Sequence, residues 1–250
     1  MTTTEREQTS GDKQSPHFAT TRWSVVAAAG AHGNPQPRRA ALSTLCESYW
    51  FPIYAYARRS GSSPEDASDL VQNFFTRLLE RNDLEQAKRE RGRFRSYLLT
   101  CFINFCSNER DRARTIKRGG GRVGFSLDEK FAENRFNSEP HAKDDPERCF
   151  ARTWAHTVLE EVIEQLRTEY EQAGKGEVFE HLKLALQDDD DALSYREIAK
   201  TIETTEGAVK VAAHRLRKRF GELLLREIAD TLTDANDAED ELRGLFEALG

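Results

Sequence analysis

Residues 194–220 read SYREIAKTIETTEGAVKVAAHRLRKRF, and this stretch decides the fold of the C-terminal part of the chain. Apolar residues recur in it at helical spacing in two segments: Ile198, Ala199 and Ile202, then Val209, Ala213, Leu216 and Phe220. Between the segments Thr205 stands where a helix N-cap is expected. Ala199 and Gly207 are small enough to let two helices cross closely. The pattern predicts a helix-turn-helix, whose second helix enters the major groove of duplex DNA.

The outward face of the predicted second helix is rich in basic residues. The residues that we expect it to present to DNA, with the N-cap included, are Thr205, Glu206, Lys210, His214, Arg217 and Lys218, with Arg215 and Arg219 beside them. The alternative for this stretch is an ordinary amphipathic hairpin with a solvated basic edge.

Charge is distributed unevenly along the 250 residues, whose formal net charge is −6. Residues 88–118 hold ten Lys and Arg against three Asp and Glu, and residues 195–219 hold seven against three. Residues 222–250 hold nine acids against two arginines. Two basic segments on an acidic chain predict two nucleic-acid contacts.

The composition, 38% hydrophobic and 32% charged, is typical of a soluble, helix-rich protein. No apolar run approaches the roughly 18 residues that a membrane span needs, and the N-terminal residues lack an apolar signal region. We therefore expect a cytoplasmic protein without membrane insertion. The four cysteines (Cys46, Cys101, Cys106 and Cys149) lack CxxC spacing and the six histidines are scattered, so we expect reduced, packed thiols, no metal site and no cofactor.

A helix start stands at residues 62–65, where two serines precede a proline and a glutamate. The helix that follows would bury one apolar stripe: Ala67, Leu70, Phe74 and Leu78. It would direct a polar set toward solvent or a partner: Asp69, Gln72, Asn73, Thr76 and Arg77.

Another predicted helix begins at Phe94; its first half is aromatic and its second half is basic. Such a sequence fits a core helix with a charged end. It also fits a surface for single-stranded nucleic acid, since bases stack on aromatic rings while cations hold phosphates. Composition alone leaves both interpretations open.

The whole pattern predicts an all-α fold of two helical domains, residues 18–118 and 150–227, with the helix-turn-helix in the second. Residues 119–149 begin with three glycines and show little periodicity, so they are predicted to be a flexible linker. Residues 1–17 are predicted to be a disordered tail, and residues 228–250 an acidic C-terminal extension.

The acidic extension contains apolar residues at helical spacing: Leu242, Leu245, Phe246 and Leu249. We expect a short helix that docks near Leu223 and Leu224 and holds its acids against Arg217 and Arg219, which would restrain the DNA-binding helix. The alternative is a helix that only completes the domain core.

The order of these parts resembles a bacterial RNA polymerase sigma factor. The resemblance is carried by the D-L-V-Q-x-x-F pattern at Asp69–Phe75, the aromatic-to-basic helix, the linker and a terminal helix-turn-helix with TEGAVK at Thr205–Lys210. The compact two-domain form is similar to the extracytoplasmic-function group of the sigma-70 family. The resemblance covers residues 38–118 and 150–226.

The resemblance implies roles for particular residues. Residues expected to bind the polymerase are Asp69, Gln72, Asn73, Phe75 and Arg77. Residues expected to open the promoter and hold unpaired bases and their backbone are Arg93, Arg95, Tyr97, Asn104, Arg110, Arg112 and Arg114. The second helix of the helix-turn-helix would read the upstream promoter element.

Two features of the helix-turn-helix depart from the family pattern, and the acidic tail after Arg226 and a predicted N-terminal helix at Phe18–Ala29 lie outside the minimal family plan. Relatives commonly place glycine in the turn where this chain has Glu203, a position expected to need a positive φ. They also often carry Ser-Arg-Leu after the lysine, where this chain has Val211-Ala212-Ala213, which puts the usual upstream sequence preference in doubt.

The predicted function is that of a transcription initiation factor without catalytic activity. Its expected partners are core RNA polymerase and promoter DNA, both duplex and single-stranded, and an anti-sigma factor is a further candidate. The alternative is a helix-turn-helix regulator that binds only duplex DNA. An enzyme is disfavoured, because the sequence lacks a metal-carboxylate cluster, a nucleophile elbow and a phosphate-binding glycine loop.

Overall fold

The computed structural model describes residues 23–30, 35–81, 84, 87, 93–115, 129–138, 145–186, 195–232 and 237–250. Regular structure in these ranges is helical, which confirms the all-α prediction. The helices are α1 (Trp23–Gly30), α2 (Pro35–Arg59), α3 (Pro64–Arg81), α4 (Phe94–Thr115), α5 (Glu129–Ser138), α6 (Pro146–Gln172), α7 (Gly176–Leu182), α8 (Tyr195–Thr201), α9 (Glu206–Asp230) and α10 (Ala238–Leu249). The predicted disordered tail lies outside the described residues.

Helices α1 to α4 surround a core of aromatic and aliphatic side chains. Helix α2 continues through Pro52 and buries Tyr49, Ile53 and Tyr54. The predicted start of α3 is confirmed, since the Ser63 hydroxyl accepts a hydrogen bond from the Asp66 amide at 3.1 Å. Helix α3 turns its apolar stripe inward, so its polar residues remain on the outer side.

Part of the segment predicted to be a linker is an ordered helix. Helix α5 packs against α2 and α3. Its Glu133 pairs with Arg58 at 2.8 Å and accepts a hydrogen bond from the Tyr54 hydroxyl at 2.8 Å. The hydrogen bonds from Arg58 hold the pKa of the Glu133 carboxyl below its usual range, although burial opposes the shift. Residues 119–128 and 139–144 of the predicted linker lie outside the described ranges, and residues 145–149 form the N-cap and first turn of α6.

Helix α6 joins the two parts of the protein, because it packs against α2 as well as against α7, α9 and α10. Buried polar contacts accompany the apolar ones. The Ser48 hydroxyl of α2 donates to Glu161 at 3.4 Å, and the Gln165 amide donates to Glu227 of α9 at 2.8 Å. One hydrophobic cluster therefore runs through both predicted domains. Their separation at a flexible linker stays a prediction.

Helices α8 and α9 form the two arms of the predicted helix-turn-helix. Ile198 and Ala199 of α8 face Val209, Ala213 and Leu216 of α9, and all of them are buried. The Thr205 hydroxyl accepts a hydrogen bond from the Ala208 amide at 3.2 Å and so caps α9.

The turn between α8 and α9 confirms one prediction and contradicts another. Glu203 has φ +51°, as expected for a position where relatives place glycine. Gly207, in contrast, is exposed, and a Cβ atom built there would meet nothing within 4 Å. Gly207 therefore lies away from the contact between the two helices, and the prediction for it was wrong, whereas Ala199 is buried.

Helix α10 packs against α6 and α9. Ala238 and Leu245 are buried, as are Leu223 and Leu224 on α9, so the extension forms a docked helix as expected. Phe246 is about half exposed. Among the described residues of α10, none pairs with Arg217 or Arg219, and Glu241 instead pairs with Arg93 and Arg95 at the start of α4.

Candidate nucleic-acid interface

The outer face of α9 carries exposed cations at three- and four-residue spacing. Lys210, His214, Arg217 and Lys218 are exposed on the helix whose opposite face is buried. Glu206 precedes them by one turn and Thr205 caps the helix. The structure thus places five of the six residues predicted from this stretch along the exposed side of α9, and the sixth, Thr205, at its N-cap.

The acids near this face do not cover it. Lys210 is 58% exposed and pairs with Glu206 at 2.8 Å, and its hydrogen bond lowers the pKa of the Glu206 carboxyl. Arg217 donates to the Tyr195 hydroxyl at 3.1 Å. Arg219 lies at the edge, where it pairs with Glu169 of α6 at 2.6 Å. An exposed pair such as Lys210–Glu206 is weak, so the lysine can exchange its partner for a phosphate.

The start of α4 places the two arginines predicted to open DNA beside α10. Arg93 lies 2.7 Å from the Glu241 carboxylate and Arg95 lies 2.5 Å from it. The Arg95 guanidinium also sits 4.3 Å from the ring centroid of Trp154 on α6. Burial lowers the pKa of Arg95, while the Glu241 charge opposes that shift.

The aromatic half of α4 belongs to the core. Phe94, Leu98, Phe102 and Phe105 are buried, and the Phe102 ring lies 5.2 Å from that of Phe74 on α3. Tyr97 is half-buried and packs against Phe94. Of the two interpretations of this helix, the core interpretation is correct for the phenylalanines, which cannot act as stacking platforms in this conformation.

The polar residues of α4 lie further along the helix. Asn104 and Arg110 are exposed. Arg112 and Arg114 lie on α4, but their side chains are outside the described part of the structure. Asn104 lines a cavity of about 160 Å³ between α3 and α4, together with Arg77 and Phe105. The Arg77 guanidinium lies over the Phe105 ring, 5.6 Å from its centroid.

The polar face of α3 is exposed for most of its length. Asp69 and Asn73 are exposed, and Gln72 and Arg77 are half-exposed. Phe75, expected to contact a partner, is only 1% exposed, so its side chain supports the helix from within the core.

Other classes of site find no support in the ranges that the structure describes. No three His, Cys, Asp or Glu side chains there lie close enough together to hold a metal ion. Cys46 and Cys106 are buried free thiols, and burial raises their pKa to about 12 and about 11. None of the described helices has the length and apolar character needed to cross a bilayer.

Part of the chain matches a protein-family model. Residues 45–116, from the middle of α2 to the end of α4, match the model of Sigma-70 region 2. The chain contains a Sigma-70 region 2 domain. Searches of curated proteins and of solved structures found no match. The match supports a sigma-70 family factor.

The Sigma-70 region 2 domain contains both the polar face of α3 and the described part of α4. The partners of Arg93 and Arg95, Trp154 and Glu241, lie outside it, and we did not predict them from the sequence. A signal for Glu241 was present, because it precedes Leu245 by four residues and therefore shares its buried helix face.

Proposed function

We propose that the chain is a sigma factor of the extracytoplasmic-function type, which binds core RNA polymerase, recognises a bipartite promoter and helps to open it. The observation that carries the proposal is the Sigma-70 region 2 match over α2 to α4. Helices α8 and α9, which we assign to a helix-turn-helix, follow it in the same chain and carry an exposed basic face. A regulator that only binds duplex DNA would need the helix-turn-helix but not the Sigma-70 region 2 domain.

The polymerase-binding surface in this proposal is the outer face of α3. Asp69, Gln72 and Asn73 offer one carboxylate and two amides within about one helical turn, and the buried stripe behind them fixes their positions. Arg77 extends the face toward α4. The role of Phe75 is to hold this surface in place from the core.

Promoter opening in this proposal depends on α4. Asn104 and Arg110 are exposed and can reach an unpaired base or its phosphate. Arg93 and Arg95 would hold the backbone once their contact with Glu241 is exchanged for one with phosphate. Tyr97 contributes by packing the start of the helix against the core.

Upstream recognition in this proposal depends on α9. Lys210, Arg217 and Lys218 would hold phosphates, while His214 and Glu206 can reach base edges. Val211 is 51% exposed beside Lys210 and offers an apolar contact to a thymine methyl group. This valine stands at the departure from the family pattern and supports a promoter preference different from that of relatives.

The test is association of the full chain with core RNA polymerase. The double variant Asp69→Ala with Gln72→Ala should bind core enzyme more weakly by about 1–3 kcal/mol for each lost contact, with its helicity unchanged. A matched control is Glu171→Ala with Gln172→Ala, which removes an acid and an amide from the exposed end of α6. Equal binding by wild type and a folded Asp69/Gln72 variant would contradict the assignment.

The alternative regulator predicts a different result. Such a protein would bind duplex DNA through α9 but would not associate with core polymerase at any concentration tested. The sigma-factor proposal also implies action in the cytoplasm, and a dedicated anti-sigma factor is a candidate partner for the surface of α3.

A further inference from the structure

A buried carboxylate from the C-terminal helix holds two arginines that the proposed function assigns to DNA. The Glu241 side chain is 1% exposed and lies between Arg93 at 2.7 Å and Arg95 at 2.5 Å. Arg93 is 46% exposed and Arg95 is 14% exposed, so the cluster is open to solvent on the Arg93 side. The contact joins α10 to the start of α4, about 150 residues earlier in the chain.

Helix α10 is held in place along its length. Leu245 is fully buried against the core shared by α6 and α9. At the end of α10, the Arg152 Nε of α6 donates a hydrogen bond to the Ala248 carbonyl at 2.9 Å. Trp154 of α6 covers the other side of the Arg95 guanidinium. The helix therefore bridges the Sigma-70 region 2 domain and the helix-turn-helix part.

The chemistry of the contact resembles that of a nucleic-acid backbone. Guanidinium groups bind carboxylates and phosphates with the same planar arrangement of N–H donors. While the Glu241 carboxylate holds both arginines, neither can give its full charge to a phosphate. Trp154 of α6 covers one side of the Arg95 guanidinium and Glu241 holds its N–H donors, so a nucleic-acid strand could reach those donors only after α10 has moved.

The Glu241 carboxylate and its two arginines depend on each other in the closed conformation. Burying a carboxylate is costly unless its hydrogen bonds are complete. The Glu241 Oε2 atom makes its ion pair with Arg93 without a well-aligned hydrogen bond. An apolar side chain at this position would leave the largely buried Arg95 guanidinium without its counter-charge, so Arg95 needs an anionic partner at this place.

We propose that α10 is an intramolecular latch, in which Glu241 occupies the phosphate position at Arg93 and Arg95 and competes with single-stranded DNA. The inference rests on the proposed role of α4 in promoter opening. Latch closure and strand binding exclude each other. The measured affinity for single strands is therefore the affinity of the open chain multiplied by the fraction of chains that are open. When about one-tenth of the chains are open, release of the latch raises the measured affinity for single strands roughly tenfold.

The first experiment uses the full chain and a fluorescein-labelled oligo(dT), with affinity measured by anisotropy at fixed salt. Glu241→Gln keeps the size of the side chain and removes its charge, and it should bind about tenfold more tightly than wild type. The control Glu247→Gln removes the same charge from an exposed position of the same helix and should stay within about twofold. Equal affinities for Glu241→Gln and Glu247→Gln, including no binding by either, overturn the proposal.

The second experiment needs no variant, so it decides the question even if Glu241→Gln fails to fold. Hydrogen exchange of the wild-type chain is followed with and without saturating oligo(dT). Amides of residues 238–249 should lose protection when the strand binds, because α10 leaves its site. Unchanged protection of α10 in the bound chain overturns the latch.

These outcomes are distinguishable from failure of the proposed function. The oligo(dT) and exchange measurements contain no polymerase, whereas the proposed function requires association with core enzyme. A chain that binds core enzyme and initiates transcription while Glu241→Gln behaves as Glu247→Gln loses the latch alone. A chain that shows the latch but never binds core enzyme loses the sigma-factor proposal.

Discussion

We predict how strongly the removal of three cations from the outer face of α9 weakens the binding of duplex DNA. The triple variant Lys210→Ala, Arg217→Ala and Lys218→Ala removes side chains that are exposed on one helix face. Their partners are an exposed carboxylate one turn away and the Tyr195 hydroxyl, so the core of the helix-turn-helix is left intact. The variant should therefore fold normally and bind duplex promoter DNA weakly.

The size of the loss follows from counterion release. Each phosphate contact contributes about 0.9 to the slope of log affinity against log salt, so three contacts contribute about 2.7. Between about 50 and 200 mM salt, wild-type binding should then weaken roughly 40-fold more than binding of the variant. Fluorescence anisotropy with labelled promoter duplex across a salt series measures both the affinity and the slope.

The control for net charge is Lys130→Ala, Arg226→Ala and Arg243→Ala, which removes three exposed cations away from the reading face. Its salt slope should match that of wild type. A triple variant at Lys210, Arg217 and Lys218 that keeps both the affinity and the slope of wild type would refute the assignment of this face to DNA.

Three further predictions concern the turn, α4 and the edge of the helix-turn-helix. Glu203→Gly should raise the free energy of unfolding by about 0.5–1 kcal/mol in chemical denaturation, because φ +51° is strained for a residue with a Cβ atom. The control Glu203→Ala keeps the Cβ atom and should not stabilise the protein. Asn104→Ala should form closed promoter complexes but open them poorly, and normal thymine reactivity to permanganate would contradict this. Arg219→Gln should lower stability near neutral pH by no more than about 1 kcal/mol, because the Glu169–Arg219 pair is partly exposed. The stability difference between wild type and Arg219→Gln should shrink as pH falls below the ordinary Glu pKa of 4.5. The hydrogen bond from Arg219 lowers the pKa of Glu169, and the pair stabilises the folded state only while Glu169 is ionised. A stability difference that does not change with pH would contradict this explanation.

Much of the fold could be predicted from local sequence signals. Helical periodicity, the serine cap of α3 and the threonine cap of α9 act within a few residues, so they are legible without tertiary structure. The need for a positive φ at Glu203 was predicted by comparison with the family turn. The failure at Gly207 has a physical reason: a small residue permits a close crossing but does not require one.

The contacts between distant segments could not be predicted in this way. Helix α5 was assigned to a flexible linker because its few apolar residues give weak periodicity, whereas its position depends on Glu133 meeting Arg58 and Tyr54 of α2. We expected the acids of the C-terminal extension to pair with Arg217 and Arg219, which are close to them in the sequence. The fold brings Arg93 and Arg95 closer to it, and only tertiary structure reveals that proximity.

Initiation by a reconstituted holoenzyme tests the central claim most directly. Core RNA polymerase is incubated with genomic DNA fragments, with or without the protein, and the 5′ ends of the transcripts are mapped. A sigma factor predicts 5′ ends that arise only with the protein and disappear with the Asp69→Ala and Gln72→Ala double variant. A folded protein that binds duplex DNA through α9 yet yields no new 5′ ends with core enzyme would contradict the account.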